Sequence, residues 1–383
     1  MTCPIYKKCG ACYYPHQDYQ ASLDDKKRQL EKLLGLQVRA MHPSPEPYHY
    51  RNKVHAAFSY DRGRGLMGKF AQNTPRVLEV EDCFLENKQA QAINHSVKKL
   101  AQDFAWPFYD VRTGQGLLKS SLVRVAEGTG QILVTLVVTQ KQVPSKQNFI
   151  KALRKRHPEI TGLVFNYNPL DTPFILGDQE FKGFGPGYIV DQLLGHSFRI
   201  SSQSFYQVNK GVCELLYHRA LELAGPEGQE VLVDAYSGIG TISLYFAPHV
   251  KQVYGVENNR QAVKDAIANA KHNQIGNAFF LCEDTGAYLE GLVQAGDQPD
   301  ILVLDPARSG LDPRALRAVR ALQVPKLLYI SCNPEALATE LPQLRKSYRV
   351  QTVEAFDMFP WTEHVETVTL LSKLNTEHHM ITQ

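Results

Sequence analysis

From about residue 200 onward, short apolar runs alternate with helical stretches, and that alternation limits the possible fold more than any other feature. The runs Val231–Ala235, Gln252–Val256, Ala278–Leu281, Ile301–Leu304, Lys326–Ile330 and Thr367–Leu371 read as buried strands. Helices fit between them, most clearly Arg260–His272 and Pro313–Leu322, after a longer one over Phe205–Ala224. Strands that are apolar throughout need cover on both faces, and parallel neighbours need crossover helices. The pattern predicts an α/β, Rossmann-like, doubly wound sheet over residues 201–383.

Residues 1–200 read differently. A helix is expected over Gln17–Leu34, then a connector at His42–Pro47, which carries Pro43, Pro45 and Pro47. Strand-like runs follow at Val54–Tyr60, Leu122–Ala126, Gln131–Thr139, Gly162–Asn168 and Phe174–Leu176. Helices are expected at Lys88–Phe104 and Asn148–Arg156. This predicts a strand-rich α+β domain.

With 43% apolar and 21% charged residues, the chain is ordinary globular material rather than disordered. No charged-then-apolar leader and no run of about 18 apolar residues is present, so a soluble, cytoplasmic protein without a membrane partner, and monomeric, is expected. Its seven cysteines are then thiols or ligands rather than disulfides. Residues 1–100 carry 16 Lys and Arg against 10 Asp and Glu, although the whole chain has a net charge of only +3. A basic N-terminal half suggests a local anionic partner such as RNA.

The first C-terminal strand runs into Asp234-Ala235-Tyr236-Ser237-Gly238-Ile239-Gly240-Thr241, and the second ends at Glu257, 17 residues after Gly240. Glycines permit a tight turn and close ligand approach, and a terminal acid can accept hydrogen bonds from ribose hydroxyls. The loop has neither three dinucleotide-type glycines nor a Gly-Lys-Ser/Thr phosphate loop. That favours S-adenosylmethionine, which has no phosphates, over NAD or ATP. Asp284, after the third strand, is a further candidate, for the adenine. The fourth strand delivers Asp305-Pro306-Ala307-Arg308, placed where methyltransferases of this fold line the transfer cleft. Arg308 stands where amino-methylating enzymes carry an aromatic residue, which argues against an exocyclic amine as acceptor.

The fifth strand ends in Ser331-Cys332-Asn333-Pro334. Pro334 stops the ladder and leaves Cys332 at the carboxyl edge, where open α/β sheets bind ligands. A thiol 27 residues beyond Asp305 fits methylation at carbon. C5 of uracil is a weak nucleophile, and thiolate addition at C6 makes it enolate-like. A base must then remove the C5 proton. Glu366 and Glu363, just before the last strand, both qualify on position.

These motifs resemble the RNA uracil-C5 methyltransferase family. The matching residues are Phe205-x-Gln207-Val208-Asn209, Asp234-x-Tyr236-Ser237-Gly238-x-Gly240-Thr241, Glu257, Asp305-Pro306-x-Arg308, Ser331-Cys332-Asn333-Pro334 and Phe359-Pro360-x-Thr362-x-His364-x-Glu366, in family order. The resemblance implies Cys332 as nucleophile and Glu366, not Glu363, as proton acceptor. It further implies Gln207, Tyr236, Glu257 and Asp305, with Gly238 and Thr241 of the glycine loop, as the S-adenosylmethionine site. Ala307 stands where the family more often has a second proline, so the turn should be less rigid.

Cys3, Cys9 and Cys12, with Cys83 as a distant fourth, supply soft ligands that suit zinc or iron–sulfur equally by spacing. The resemblance implies a structural [4Fe-4S] cluster. Arg51, Lys53, Arg62, Arg64, Lys69 and Arg76 are the expected RNA contacts. Only two residues precede Cys3, so the small β-barrel of longer members is expected to be missing, which points to 23S rRNA as substrate, with the tRNA T-loop next. Two competing readings are a catalytically idle, metal-stapled RNA-binding protein and a methyltransferase acting on another base atom. The co-occurrence of Cys332 and Glu366 speaks against the idle one.

Overall fold

The computed structural model describes residues 3–14, 16–61, 63–170 and 174–374. Seven strands of its larger sheet come from the C-terminal half: β1 (Val231–Asp234), β2 (Gln252–Glu257), β3 (Ala278–Cys282), β4 (Ile301–Leu304), β5 (Lys326–Ser331), β6 (Tyr348–Phe356) and β7 (Glu366–Lys373). They lie in the order β3-β2-β1-β4-β5-β7-β6, with β7 antiparallel to both its neighbours and the pairs from β3 to β5 parallel. Strand order reverses between β1 and β4, so their carboxyl ends open a crevice at the switch point. The apolar runs are explained by burial on both faces. Leu232, Ile301, Val303 and Leu328 pack into one core, while Val233, Leu302, Leu304 and Leu327 pack into the other.

The second sheet has seven strands in the order Val77–Glu79, Arg64–Phe70, Lys53–Asp61, Leu118–Val125, Ile132–Val138, Ile160–Tyr167 and Gln179–Phe184. Its one parallel pair joins Ile132–Val138 to Ile160–Tyr167, with the helix Lys146–Arg156 as crossover. That helix and Lys88–Asp103 bury Ile93, Val97, Phe149 and Leu153 in the core of this unit. Among the described residues, no helix is long and apolar enough to cross a membrane.

Several elements differ from expectation. Phe174–Leu176 is not a strand: the Phe174 and Ile175 carbonyls accept from the Asn168 side chain at 3.0 and 3.1 Å instead of joining a ladder. The long helix begins at Lys210, capped by Asn209, which frees residues 205–208 to form a loop. His42 closes a short strand, Ala40–His42, that pairs in parallel with β6 and adds the eighth strand. The preceding helix, Tyr19–Leu34, packs Leu30 against Val353, Ala355 and Val365. A ribbon of Tyr188–Leu193 and His196–Ser201 likewise buries Ile189 and Phe198 in a C-terminal core. Residues on the N-terminal side of position 200 therefore help to build the C-terminal layer.

Candidate active site

The glycine loop after β1 turns through positive φ at Gly238 (54°) and Gly240 (86°) before the helix Thr241–Phe246. A Cβ at Gly240 would also lie 2.9 Å from Phe280 Cζ, so glycine is required there twice over. Glu257, at the end of β2, accepts from Gly238 N at 3.1 Å and Asn259 N at 2.7 Å. Its carboxylate thus shapes the loop and has lone pairs left for a ligand. Gln207, Tyr236, Gly238, Thr241 and Asp305 line one cavity at the switch point. Asp234 is buried and takes a 2.6 Å hydrogen bond from Ser243 Oγ. Burial pushes its carboxyl up to about 6, and burial followed by the nearby Asp234 pushes Asp305 up to about 7. Asp284 does not line that cavity: its exposed side chain caps the helix Thr285–Ala295 through Ala287 N at 2.9 Å, while standing near enough to Tyr236 to add to the burial that pushes that phenol up.

Cys332 follows directly on β5. The last rung between β5 and β7 pairs Ser331 with Thr367, so Cys332, just past the end of β5, and Glu366, at the start of β7, both adjoin that rung. Glu366 is 3% exposed, whereas Glu363 is exposed. Burial holds the Glu366 carboxyl well above the usual carboxylate range, with Asp305 adding to the effect and Arg308 opposing it. The Cys332 thiol is pushed up to about 11, first by burial, then by Glu366 and Asp305, again against Arg308. The first turn of the helix Pro334–Leu344 begins two residues on and favours negative charge at the sulfur. Asn333 caps that helix and donates through Nδ2 to Arg308 O at 2.8 Å. This bond, with the 2.9 Å turn bond from Gly310 N to Ala307 O, holds the acid–proline loop although Ala307 is not a proline.

A cavity of about 380 Å³ opens onto the thiol, lined among others by Lys26, Arg308, Cys332, Glu363 and His364. The arrangement joins a nucleophile, an acid–base group and the Arg308 cation, each near enough to act on the others. A larger cavity of about 540 Å³ lies against the N-terminal sheet, around Phe58, Phe70 and Phe174, remote in sequence from these groups. Its lining includes Ser59, Thr74, Lys119 and Ser120 but neither a thiol nor a carboxylate. Lys26 and its partner Asp357 were not anticipated from sequence. The signal was present: Lys26 falls in the buried stripe Leu23, Lys26, Leu30 of its helix, where a lysine needs a buried acceptor.

The expected iron–sulfur segment is corrected in one respect. Among the described residues, no group of three or more His, Cys, Asp or Glu side chains is arranged to hold a metal. The four thiols are nonetheless neighbours: Cys12 is pushed up to about 12 by burial first, then by Cys83, Cys3 and Cys9. Cys3, Cys12 and Cys83 pack as small apolar groups around Tyr14, Tyr50, Phe84 and Trp361, which orders the segment by itself. The donor chemistry fits a soft metal, but the side-chain geometry does not bring the donors to one centre. The basic surface is also smaller than expected. Arg64 pairs with Glu79 at 2.6 Å, Lys69 pairs with Glu86, and Arg51 and Lys53 are half-buried, leaving Arg76 exposed; Arg62 lies outside the described residues.

Comparison with known proteins adds three findings. Residues 189–374 match the family model described as tRNA (Uracil-5-)-methyltransferase. An RNA methyltransferase of Halalkalibacterium halodurans is 34% identical over 381 residues, covering 97% of this chain and 83% of the relative, and one of Clostridium acetobutylicum is 34% identical over 384 residues, covering 98% and 84%. In structure, the chain resembles Pyrococcus abyssi tRNA (uracil-54, C5)-methyltransferase, solved in complex with S-adenosyl-L-homocysteine. The TM-score is 0.79 at 24% identity, over 97% of this chain and 87% of that one.

Proposed function

Because the chain belongs to the RNA uracil-C5 methyltransferase family, we propose that it methylates C5 of one uridine in RNA by covalent catalysis from Cys332. The observation that carries this reading is a thiol at the end of β5 close enough to a buried Glu366 and to Asp305 for both to act on it, with Asp305 lining the switch-point cavity. S-adenosylmethionine would supply an electrophilic methyl group, held by Gln207, Tyr236, Gly238, Thr241, Glu257, Asp284 and Asp305. Cys332 Sγ, as thiolate, adds to C6 of the uracil, and the electron pair of the C5–C6 double bond moves to C5 and the O4 carbonyl. C5 would then take the methyl group as the methyl–sulfur bond breaks, its electron pair staying on the sulfur of the departing S-adenosylhomocysteine. Glu366 removes the C5 proton, the C5–C6 double bond re-forms, and the C6–S bond breaks to free the thiolate. A uridine must leave its stack to reach the thiol, so an extruded or looped base is required.

The first substrate reading is 23S rRNA, one of the two RNAs that the resembled family methylates. A tRNA substrate is the second reading, because the matched family and the structural neighbour both carry tRNA in their descriptions. Incubation with S-adenosylmethionine and 5-fluorouridine RNA tests the mechanism. Fluorine cannot leave C5 as a proton, so a denaturation-resistant protein–RNA adduct should form. No adduct with the unaltered protein, or an undiminished one with Cys332→Ala, refutes it. Methyl incorporation into 23S rRNA fragments against tRNA transcripts decides the substrate.

Cys3, Cys9, Cys12 and Cys83 are included in the proposal as structural ligands of a [4Fe-4S] cluster, supported by their mutual proximity and soft-donor chemistry. Iron and labile sulfide in the purified protein would support this, and zinc in a colourless protein would exclude it.

A further inference from the structure

Lys26 lies on the N-terminal helix, yet its Nζ donates to three acceptors of the segment leading to Glu366. These are Asp357 Oδ1 at 2.6 Å, Phe359 O at 3.1 Å and His364 O at 2.7 Å. Both charged side chains are buried, with relative exposures of 1% and 0%. The second carboxylate oxygen of Asp357 accepts from Tyr19 Oη at 2.7 Å, and Tyr19 Oη in turn accepts from Ser44 N at 2.8 Å. One ammonium with three donors is therefore fully used, at both ends of the 357–364 loop. Between those ends the backbone has no ladder partner along its length, and Trp361 sits at φ 69°. His364 O is two residues before Glu366, and Lys26 also lines the cavity that opens onto Cys332.

We propose that Lys26 is a positioning residue that fixes the loop leading into the proton acceptor at the start of β7, so that Glu366 meets the C5 proton after methyl transfer. The inference rests on the covalent mechanism above. A buried ion pair contributes little net stability relative to an apolar pair of the same shape, so stability alone does not explain a lysine here. A fixed loop geometry does: displacing a catalytic group by about 1 Å can cost about 100-fold in rate.

The test separates steps. The unaltered protein, the double variant Lys26→Met/Asp357→Asn and the single variant Tyr19→Phe are each given S-adenosylmethionine with ordinary RNA and with 5-fluorouridine RNA. The double variant removes both charges, so no unpaired buried ion is left to unfold the protein. Fluorinated RNA reports Cys332 addition and methyl transfer, upstream of proton removal. If the unaltered protein traps none, the covalent mechanism itself is wrong, whatever the variants do. If Lys26 positions the base, the double variant traps fluorinated RNA within about threefold of the unaltered protein. Its turnover on ordinary RNA falls by about 10- to 100-fold, and a methylated covalent adduct accumulates there. Unchanged turnover, or slow turnover without that adduct, overturns the proposal. Should the double variant not fold, Tyr19→Phe, which removes one hydroxyl, carries the same criterion: slower turnover must come with accumulated adduct.

Discussion

Replacing Glu366 with glutamine changes one oxygen for nitrogen in a side chain that is 3% exposed, and its effect should fall on a single step. Positioned general acid–base groups contribute about 10²–10⁴-fold, so turnover should drop by that factor, about 3–5 kcal/mol of barrier. Asp305 is near enough to act on both Glu366 and Cys332 and, pushed up to about 7, is partly ionised at neutral pH; it can substitute weakly and favours the lower end of the range. Addition of the thiol and methyl transfer do not require Glu366, so the methylated adduct should persist on ordinary RNA and be visible on a denaturing gel with labelled methyl donor. Folding provides a control whose sign follows from burial. A carboxyl with a raised folded-state pKa has its full stability below the unfolded pKa and loses stability as pH rises toward the folded value. Glutamine mimics the neutral form, so Glu366→Gln should melt at the same temperature as the unaltered protein in acid and at an equal or higher one above pH 7. Turnover within threefold of the unaltered protein refutes the assignment. So does a matching loss of adduct with 5-fluorouridine RNA, because Glu366 would then act before proton removal.

Three further outcomes follow from the same site. Adduct formation with 5-fluorouridine RNA needs the Cys332 thiolate, and with the thiol pushed up to about 11 its rate should rise about tenfold per pH unit from pH 7 to 9; a flat profile would show a thiolate already formed. Arg308 lowers both the thiol and the Glu366 carboxyl, so Arg308→Met should slow adduct formation by about tenfold at pH 7 and recover it at higher pH, one unit being about 1.4 kcal/mol; an unshifted pH profile would count against it. Gly255→Ala would place a Cβ 2.5 Å from Phe280 Cδ1 and 3.0 Å from Ser237 Cβ, beneath the glycine loop. It should cost about 1–3 kcal/mol in denaturant unfolding and weaken S-adenosylmethionine binding in calorimetry; unchanged stability would mean that Phe280 moves freely.

The C-terminal sheet was legible because β1, β4 and β5 are buried on both faces and carry unbroken apolar runs, Val231–Val233, Ile301–Leu304 and Leu327–Ile330. Strand β6 was missed: Arg349 and Gln351 alternate with Val350, and a half-covered strand near a sheet edge gives a weaker signal than a central one. The helix start at Lys210 was misjudged because Phe205 and Tyr206 look apolar enough to belong to a helix. They are spent on a loop instead, with Phe205 exposed and Tyr206 buried. Within the site, each strand-end residue could be found from its place after an apolar run. The choice between Glu363 and Glu366 could not, since it depends on which of them is buried at the start of β7 and which is left exposed. The stripe around Lys26 calls for a buried acceptor, but which one was beyond reach for a related reason, Asp357 being 331 positions away in sequence.

That separation also sets an order of events during synthesis. Ribosomes add about 5–20 residues per second, so the helix bearing Lys26 emerges roughly 17–66 s before Asp357 exists. The strand Ala40–His42 waits equally for β6. Throughout that interval the early segment has no sheet edge to join and no carboxylate for its lysine. The corner that holds Glu366 against Cys332 is therefore the last to close. A nascent chain can complete most of its β-structure and still lack a working site, which delays reactivity toward RNA until translation is nearly finished.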